Sequence, residues 1–154
     1  MQYWDQRYLA SPQRYDWYHR YWAIKPLLDR FDAREAPVLH VGVGLSELQD
    51  DMIRDGYKNI VNIDYSGVAI AHMQRLAKLH QAASQAGAQC SYEIGDVRHM
   101  PQYDDASFQL VVDKGTLDAM LCGPGSMESS CHMLQVCRRT TCMHMQRTDS
   151  EPWI

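Results

Sequence analysis

Four short apolar runs, each closed by a glycine or an acid, constrain this 154-residue chain more than any other feature. They occupy residues 38–41, 59–63, 90–94 and 108–112, and they end at Gly42, Asp64, Gly95-Asp96 and Asp113. The run over 90–94 is weaker, and the run over 108–112 is apolar enough to be buried on both faces, as strands of a covered parallel sheet are. Helix signals fall between them. Ser46 with Gln49 three residues later marks a capping box for a helix to about residue 55, closed by Gly56. Ser66 caps a second helix that puts Ile70, Met73, Leu76, Ala77 and His80 on one face and stops at Gly87. A third is expected over 127–139. Alternating strands and helices specify an α/β domain with a parallel sheet and helices on both faces. The polar strand ends then gather along the carboxyl edge, where open α/β sheets bind ligands.

The first of those ends is a glycine loop, V-L-H-V-G-V-G-L-S-E over residues 38–47. A dinucleotide site requires G-x-G-x-x-G with the pyrophosphate on the helix N-terminus. Gly42 and Gly44 fit, but Glu47 stands at the third position, and its charge would repel a pyrophosphate by about 1 kcal/mol or more. A ligand with adenosine but no phosphate escapes that repulsion, and S-adenosylmethionine is such a ligand. Asp64, 22 positions beyond Gly42, suits the acid that accepts hydrogen bonds from the ribose hydroxyls. Asp96 is placed to meet the adenine amino group, with Val97 against the ring.

Aromatic residues crowd the start: Tyr3, Trp4, Tyr8, Tyr15, Trp17, Tyr18, Tyr21 and Trp22. A helix is expected over 16–31, bent or divided at Pro26. Together the stretches Y-W-D-Q-R-Y (3–8), Y-D-W-Y (15–18), the glycine loop, V-N-I-D-Y-S (61–66), G-D-V-R (95–98) and V-V-D-K-G-T-L-D-A (111–119) resemble one family. It is the class I S-adenosylmethionine-dependent methyltransferases, in the methyltransferase-like group that modifies lysines on translation elongation factor 1-alpha. One member of that group is found fused to endothelin-converting enzyme 2. The resemblance covers residues 3–120.

The resemblance implies a Rossmann-like class I methyltransferase fold in one domain. Residues 1–36 form an aromatic lid and helix, 37–125 the cofactor-binding core and 126–154 a divergent end. Trp4, Tyr8 and Trp17 would fold over S-adenosyl-L-methionine, as aromatic faces attract onium cations. Gly42 would give the backbone approach, Asp64 and Tyr65 would hold ribose and adenine, Asp96 and Val97 the adenine edge, and Lys114 would lie near the methionyl end. Tyr21 and Trp22 have no counterpart in the motif and read as core packing. No catalytic residue is assigned; Asp113 and Asp118 are the acids nearest to hand for an amine that must lose a proton. The family sheet runs 3-2-1-4-5-7-6, and the last strands find no counterpart after residue 125. The fold is therefore expected to be truncated at its C-terminal strands, with residues 108–112 an open apolar edge that invites self-association.

Composition removes other classes. A net charge of −4 with a pI near 5.9 argues against a nucleic-acid grip. No apolar stretch approaches the length of a membrane span, and the opening residues lack the basic and apolar blocks of a signal peptide. The expectation is a cytoplasmic enzyme acting on a protein such as elongation factor 1-alpha, with no nucleic-acid or membrane partner. Five cysteines, odd in number and without C-x-x-C, argue against a disulfide framework. Cys131, His132, Cys137, Cys142 and His144 match no zinc spacing, so no metal is expected. Two alternatives stand beside this reading: a cofactor-binding form with little turnover that serves as an interaction module, and a nicotinamide-dependent oxidoreductase, against which Glu47 counts.

Overall fold

A computed structural model describes residues 3–81, 87–123 and 125–142. Its strands are β1 (Pro37–Val41), β2 (Asn59–Asp64), β3 (Gln89–Ile94) and β4 (Leu110–Asp113). All neighbours pair parallel in the order β3-β2-β1-β4. Its helices are α1 (Tyr3–Ala10), α2 (Tyr21–Leu28), α3 (Leu48–Arg54), α4 (Gly67–Gln81), α5 (Thr116–Leu121) and α6 (Ser126–Thr140). This is the expected doubly covered sheet, because the alternating side chains of β1 meet apolar neighbours on both faces. Val38 packs with Leu48, Met52, Ile60 and Leu110 on one side. Leu39 and Val41 pack with Ile63, Phe108 and Met133 on the other.

The local signals act as read, with small changes. Ser46 Oγ accepts the Leu48 N–H at the start of α3, while Gln49 Nε2 donates to the Ser46 carbonyl rather than closing the box on an N–H. Ser66 Oγ accepts the Ala69 N–H in α4. Of the face expected on α4, Ile70 and Met73 are buried and Leu76 and Ala77 pack at the margin; the side chain of His80 lies outside the described residues.

The N-terminal third departs from expectation. The helix read over 16–31 begins only at Tyr21 and passes through Pro26 into a 3-10 turn at Asp29–Phe31. Residues 11–20 form a non-helical strap instead, in which Tyr18 takes φ +62, a left-handed conformation that no α-helix continues through. The aromatic opening is itself a helix, α1, which the sequence reading did not assign. Tyr21 is fully buried and donates its hydroxyl to Asp55 at 2.6 Å, as core packing requires. Trp22, read the same way, is 59% exposed and only meets Tyr21 edge-on. Helix periodicity explains the split: adjacent residues point 100° apart, so one face cannot bury both.

The edge expected to lie open over 108–112 is closed at its first residue. Phe108 donates its N–H to the Thr140 carbonyl and accepts the Cys142 N–H at 2.7 Å, a parallel bridge launched from the end of α6. Among the described residues, β4 has no strand partner other than β1. No helix among them is long and apolar enough to cross a membrane.

Candidate functional site

At the carboxyl ends of β1, β2 and β4 the chain walls a cavity. Its lining includes Trp4, Tyr8, Trp17, Gly42, Asp64, Tyr65 and Lys114, seven of the nine residues expected to hold a cofactor. The glycine loop turns over the end of β2, donating the Gly42 and Val43 N–H groups to the Ile63 carbonyl at 2.7 and 3.1 Å. Both glycines have positive φ, and each is required for a different close approach. A Cβ on Gly42 would lie 1.8 Å from Thr116 Oγ1, so this glycine makes room for the start of α5 while its backbone lines the cavity. A Cβ on Gly44 would lie 2.6 Å from the Tyr8 hydroxyl.

Asp64 is buried at the cavity floor. Its carboxylate accepts the Gly44 and Ser66 N–H groups, each at 2.8 Å. Burial pushes its pKa up, and the two N–H donors work against the rise. A carboxylate offers about four acceptor positions, so two remain for hydroxyl donors. Tyr8 stands beside it, stacked on Trp4 with ring centroids 5.7 Å apart. Burial and then the charge of Asp64 raise the Tyr8 pKa, keeping a protonated phenol at the site. Asp5 accepts the Ser66 hydroxyl at 2.6 Å and thereby pins α1 over the start of α4.

The strap closes the opposite wall. Lys114 donates to Asp16 at 2.8 Å and to the Trp17 carbonyl at 3.1 Å, and both side chains of this ion pair are over nine-tenths buried. Asp16 also accepts the Ser46 hydroxyl and the Glu47 N–H. Burial pushes its pKa up, but the bonds from Lys114 and Ser46 outweigh that and hold it below the ordinary value. Arg14 reaches Asp50 and the Ser46 carbonyl, and Tyr15 donates its N–H to the Leu45 carbonyl at 3.1 Å. Trp17 is held edge-on to Tyr15 and face-on to Arg7.

Neither Glu47 nor Asp16 lines the cavity, and at the start of α3 the Asp16 carboxylate accepts the Glu47 N–H. An anion there already fills the place a phosphate would take.

Asp96 and Val97 stand outside the lining. Asp96 is gripped by the Arg98 guanidinium at 2.6 to 3.0 Å, which holds its pKa down. It remains close enough for its charge to act on Tyr65. Val97 is buried against Leu39, Ile63 and Met100 in the sheet core. Conversely, the cavity includes His40, Arg14 and Thr116, which sequence reasoning did not single out, and depends on Asp5 and Asp16. The two acids stand within the quoted motifs Y-W-D-Q-R-Y and Y-D-W-Y, which is the signal that could have found them. Among the described residues no group of three or more His, Cys, Asp or Glu is placed to hold a metal; His144 lies outside them.

The same fold recurs in solved structures. A SAM-dependent methyltransferase from Methanosarcina mazei matches with a TM-score of 0.63 at 16% identity, over 76% of this chain and 52% of that one. Magnesium protoporphyrin IX methyltransferase from Synechocystis, solved with bound SAM, matches at 0.57 and 16%, over 77% and 51%. The architecture is thus the Rossmann-like fold of the class I methyltransferases, with the sheet order expected for its first four strands.

By sequence, the chain is similar to proteins named as EEF1A lysine methyltransferases and to the methyltransferase srdJ of Neurospora crassa. EEF1A lysine methyltransferase 4 of mouse is 36% identical over 126 residues, 80% of this chain and 46% of the relative. The human eEF1A lysine and N-terminal methyltransferase is 35% identical over 120 residues, 77% of this chain and 16% of the relative. The chain therefore spans less than half the length of either. No protein-family model matches it.

Proposed function

We propose that the chain binds S-adenosyl-L-methionine and transfers its methyl group to a lysine of a protein, one resembling elongation factor 1-alpha, in the cytoplasm. The observation that carries this reading is the buried Asp64, with two acceptor positions spare, facing a wall of Trp4, Tyr8 and Trp17. That combination fits a ligand with ribose hydroxyls at one end and an onium cation at the centre. The similarity to proteins named as EEF1A lysine methyltransferases supports the acceptor class.

Held by Asp64 and Tyr65 under Trp4, Tyr8 and Trp17, the cofactor would supply an electrophilic methyl to the amine, whose extra proton would pass to water. The protein's contribution is placement and exclusion of water. Asp64 and Tyr65 fix the nucleoside end. Trp4 and Tyr8 cover the loop from α1, and the strap covers it from the other side, held by Lys114 and Asp16. In this reading Asp96 meets the adenine edge beside Tyr65, exchanging part of its grip on Arg98, while Val97 backs that edge from the core. The uncovered side of β4 is the face on which further chain, its own or another copy's, would pair.

Calorimetric titration tests the reading. Asp64→Ala should weaken S-adenosylmethionine binding by about 2–3 kcal/mol, because charged hydrogen bonds are lost. NAD should bind neither form. Equal affinity in the variant and parent would remove Asp64 from the site. Methyl incorporation into elongation factor 1-alpha reports the acceptor.

A further inference from the structure

The cavity wall carries one acid, Asp64, and the cations Arg7, Arg14 and Lys114. Two of these cations are already matched by protein acids. Lys114 is held by Asp16 and the Trp17 carbonyl, and Arg14 by Asp50 and the Ser46 carbonyl. Arg7 differs. Among the described residues its guanidinium has no carboxylate within ion-pair distance. The side chain is exposed, so it stands at the mouth of the cavity, and it lies over the Trp17 ring, 5.7 Å from the centroid. Its charge also reaches the Tyr8 phenol beside Asp64. A guanidinium that covers an aromatic face keeps its N–H edge free, and that planar fork matches the two oxygens of a carboxylate.

We propose that the Arg7 guanidinium binds the carboxylate at the amino-acid end of the S-adenosyl ligand and so selects ligands that carry it. The inference rests on the cofactor reading above. With the ribose hydroxyls on Asp64, the ligand's one anionic group is left for a cation elsewhere in the wall. Arg7 is the lining cation whose charge no acid among the described residues has taken. The contact also joins the two parts of the aromatic cover, because Arg7 belongs to α1 and Trp17 to the strap. Lys114, engaged by Asp16, holds the strap that carries Trp17.

Calorimetry with two ligands that differ in one group tests this contact. S-adenosylhomocysteine carries the carboxylate, and decarboxylated S-adenosylhomocysteine keeps the nucleoside, the thioether and the amine. The parent chain should bind the first about tenfold or more tighter, with the steeper loss of affinity as salt is added. Arg7→Gln should weaken S-adenosylhomocysteine binding about ten- to a hundredfold, as expected for charged hydrogen bonds. It should leave the decarboxylated ligand no weaker, since an amine gains nothing from a neighbouring cation. Arg7→Lys, which keeps the charge without the fork, should recover part of the loss. A side chain that merely packs Trp17 in place would, on substitution, weaken both ligands alike. Equal weakening of both, no weakening of either, or a parent that binds the two ligands equally would overturn the proposal and leave the cofactor reading standing. A parent chain that binds neither ligand would overturn the cofactor reading and this contact with it.

Discussion

Removing Asp16 should loosen both the fold and the cavity, because its carboxylate is the counter-charge of a cation with almost no access to water. The side chains of Lys114 and Asp16 retain 7% and 6% exposure, with 2.8 Å between charged atoms. At an effective dielectric near 20 their attraction is about 6 kcal/mol, most of it offset by the cost of desolvating both ions. Asp16→Ala deletes the attraction but leaves the Lys114 ammonium buried with the Trp17 carbonyl alone. The expected loss is about 3–5 kcal/mol, a large share of the 5–15 kcal/mol typical of a domain. Lys114→Met in the same background removes the stranded charge and should restore much of it. Urea denaturation of the parent, both single variants and the double variant gives the coupling energy, expected to exceed about 1.5 kcal/mol. Residues 14–17 carry Arg14, Tyr15 and Trp17 into the cavity wall, so cofactor affinity should fall in Asp16→Ala and return in part with the double change. The pH sign follows from the lowered Asp16 pKa. The contribution is complete above the ordinary carboxylate range and is lost as pH falls through the folded-state value below it. A single variant within 1 kcal/mol of the parent, or strictly additive losses, would refute the reasoning.

Gly42→Ala should destabilise the chain by about 2–4 kcal/mol, from a strained positive φ and the overlap with Thr116, measurable as a lowered urea midpoint. Thr116→Ala in that background should recover part of the loss, since the hydroxyl is the atom struck first. His40 predicts a second pH effect. Between pH 6.5 and about 4 the unfolded chain's histidine is protonated while the folded one is not, so stability falls as pH drops across that window, by about 3 kcal/mol in all. Lys114 adds to this depression, with Asn62 and Asp16 opposing it, so the slope should flatten in His40→Asn and shrink in Lys114→Met.

The strands were written locally, whereas their order came from the family resemblance. Apolar runs that end at Gly42, Asp64, Gly95 and Asp113 need only the neighbouring backbone to become strands with polar carboxyl ends, and the Ser46 and Ser66 caps act within three residues of themselves. The resemblance carried by the same motifs singles out Trp4, Tyr8, Trp17, Asp64 and Lys114, which the fold brings to the lining of one cavity. What tertiary structure decided is how charges and voids are shared across long separations. Lys114 and Asp16 lie 98 positions apart, and no local pattern says that they neutralise each other or that Asp16, not Glu47, guards the start of α3. Gly42 reads as ligand approach, and only the fold adds that Thr116, 74 positions later, occupies the space a methyl would fill. The helix expected from residue 16 gives way to the strap over 16–20, where Asp16 is held by Lys114, Ser46 and Glu47, distant in the chain, rather than by helical neighbours. Val97 was drawn into the core, and Asp96 onto Arg98, by packing and pairing that compete with any site role. His40 shows the same division: as one letter in an apolar strand it carries no signal, and only its burial in the folded sheet beside Lys114 drives its pKa down.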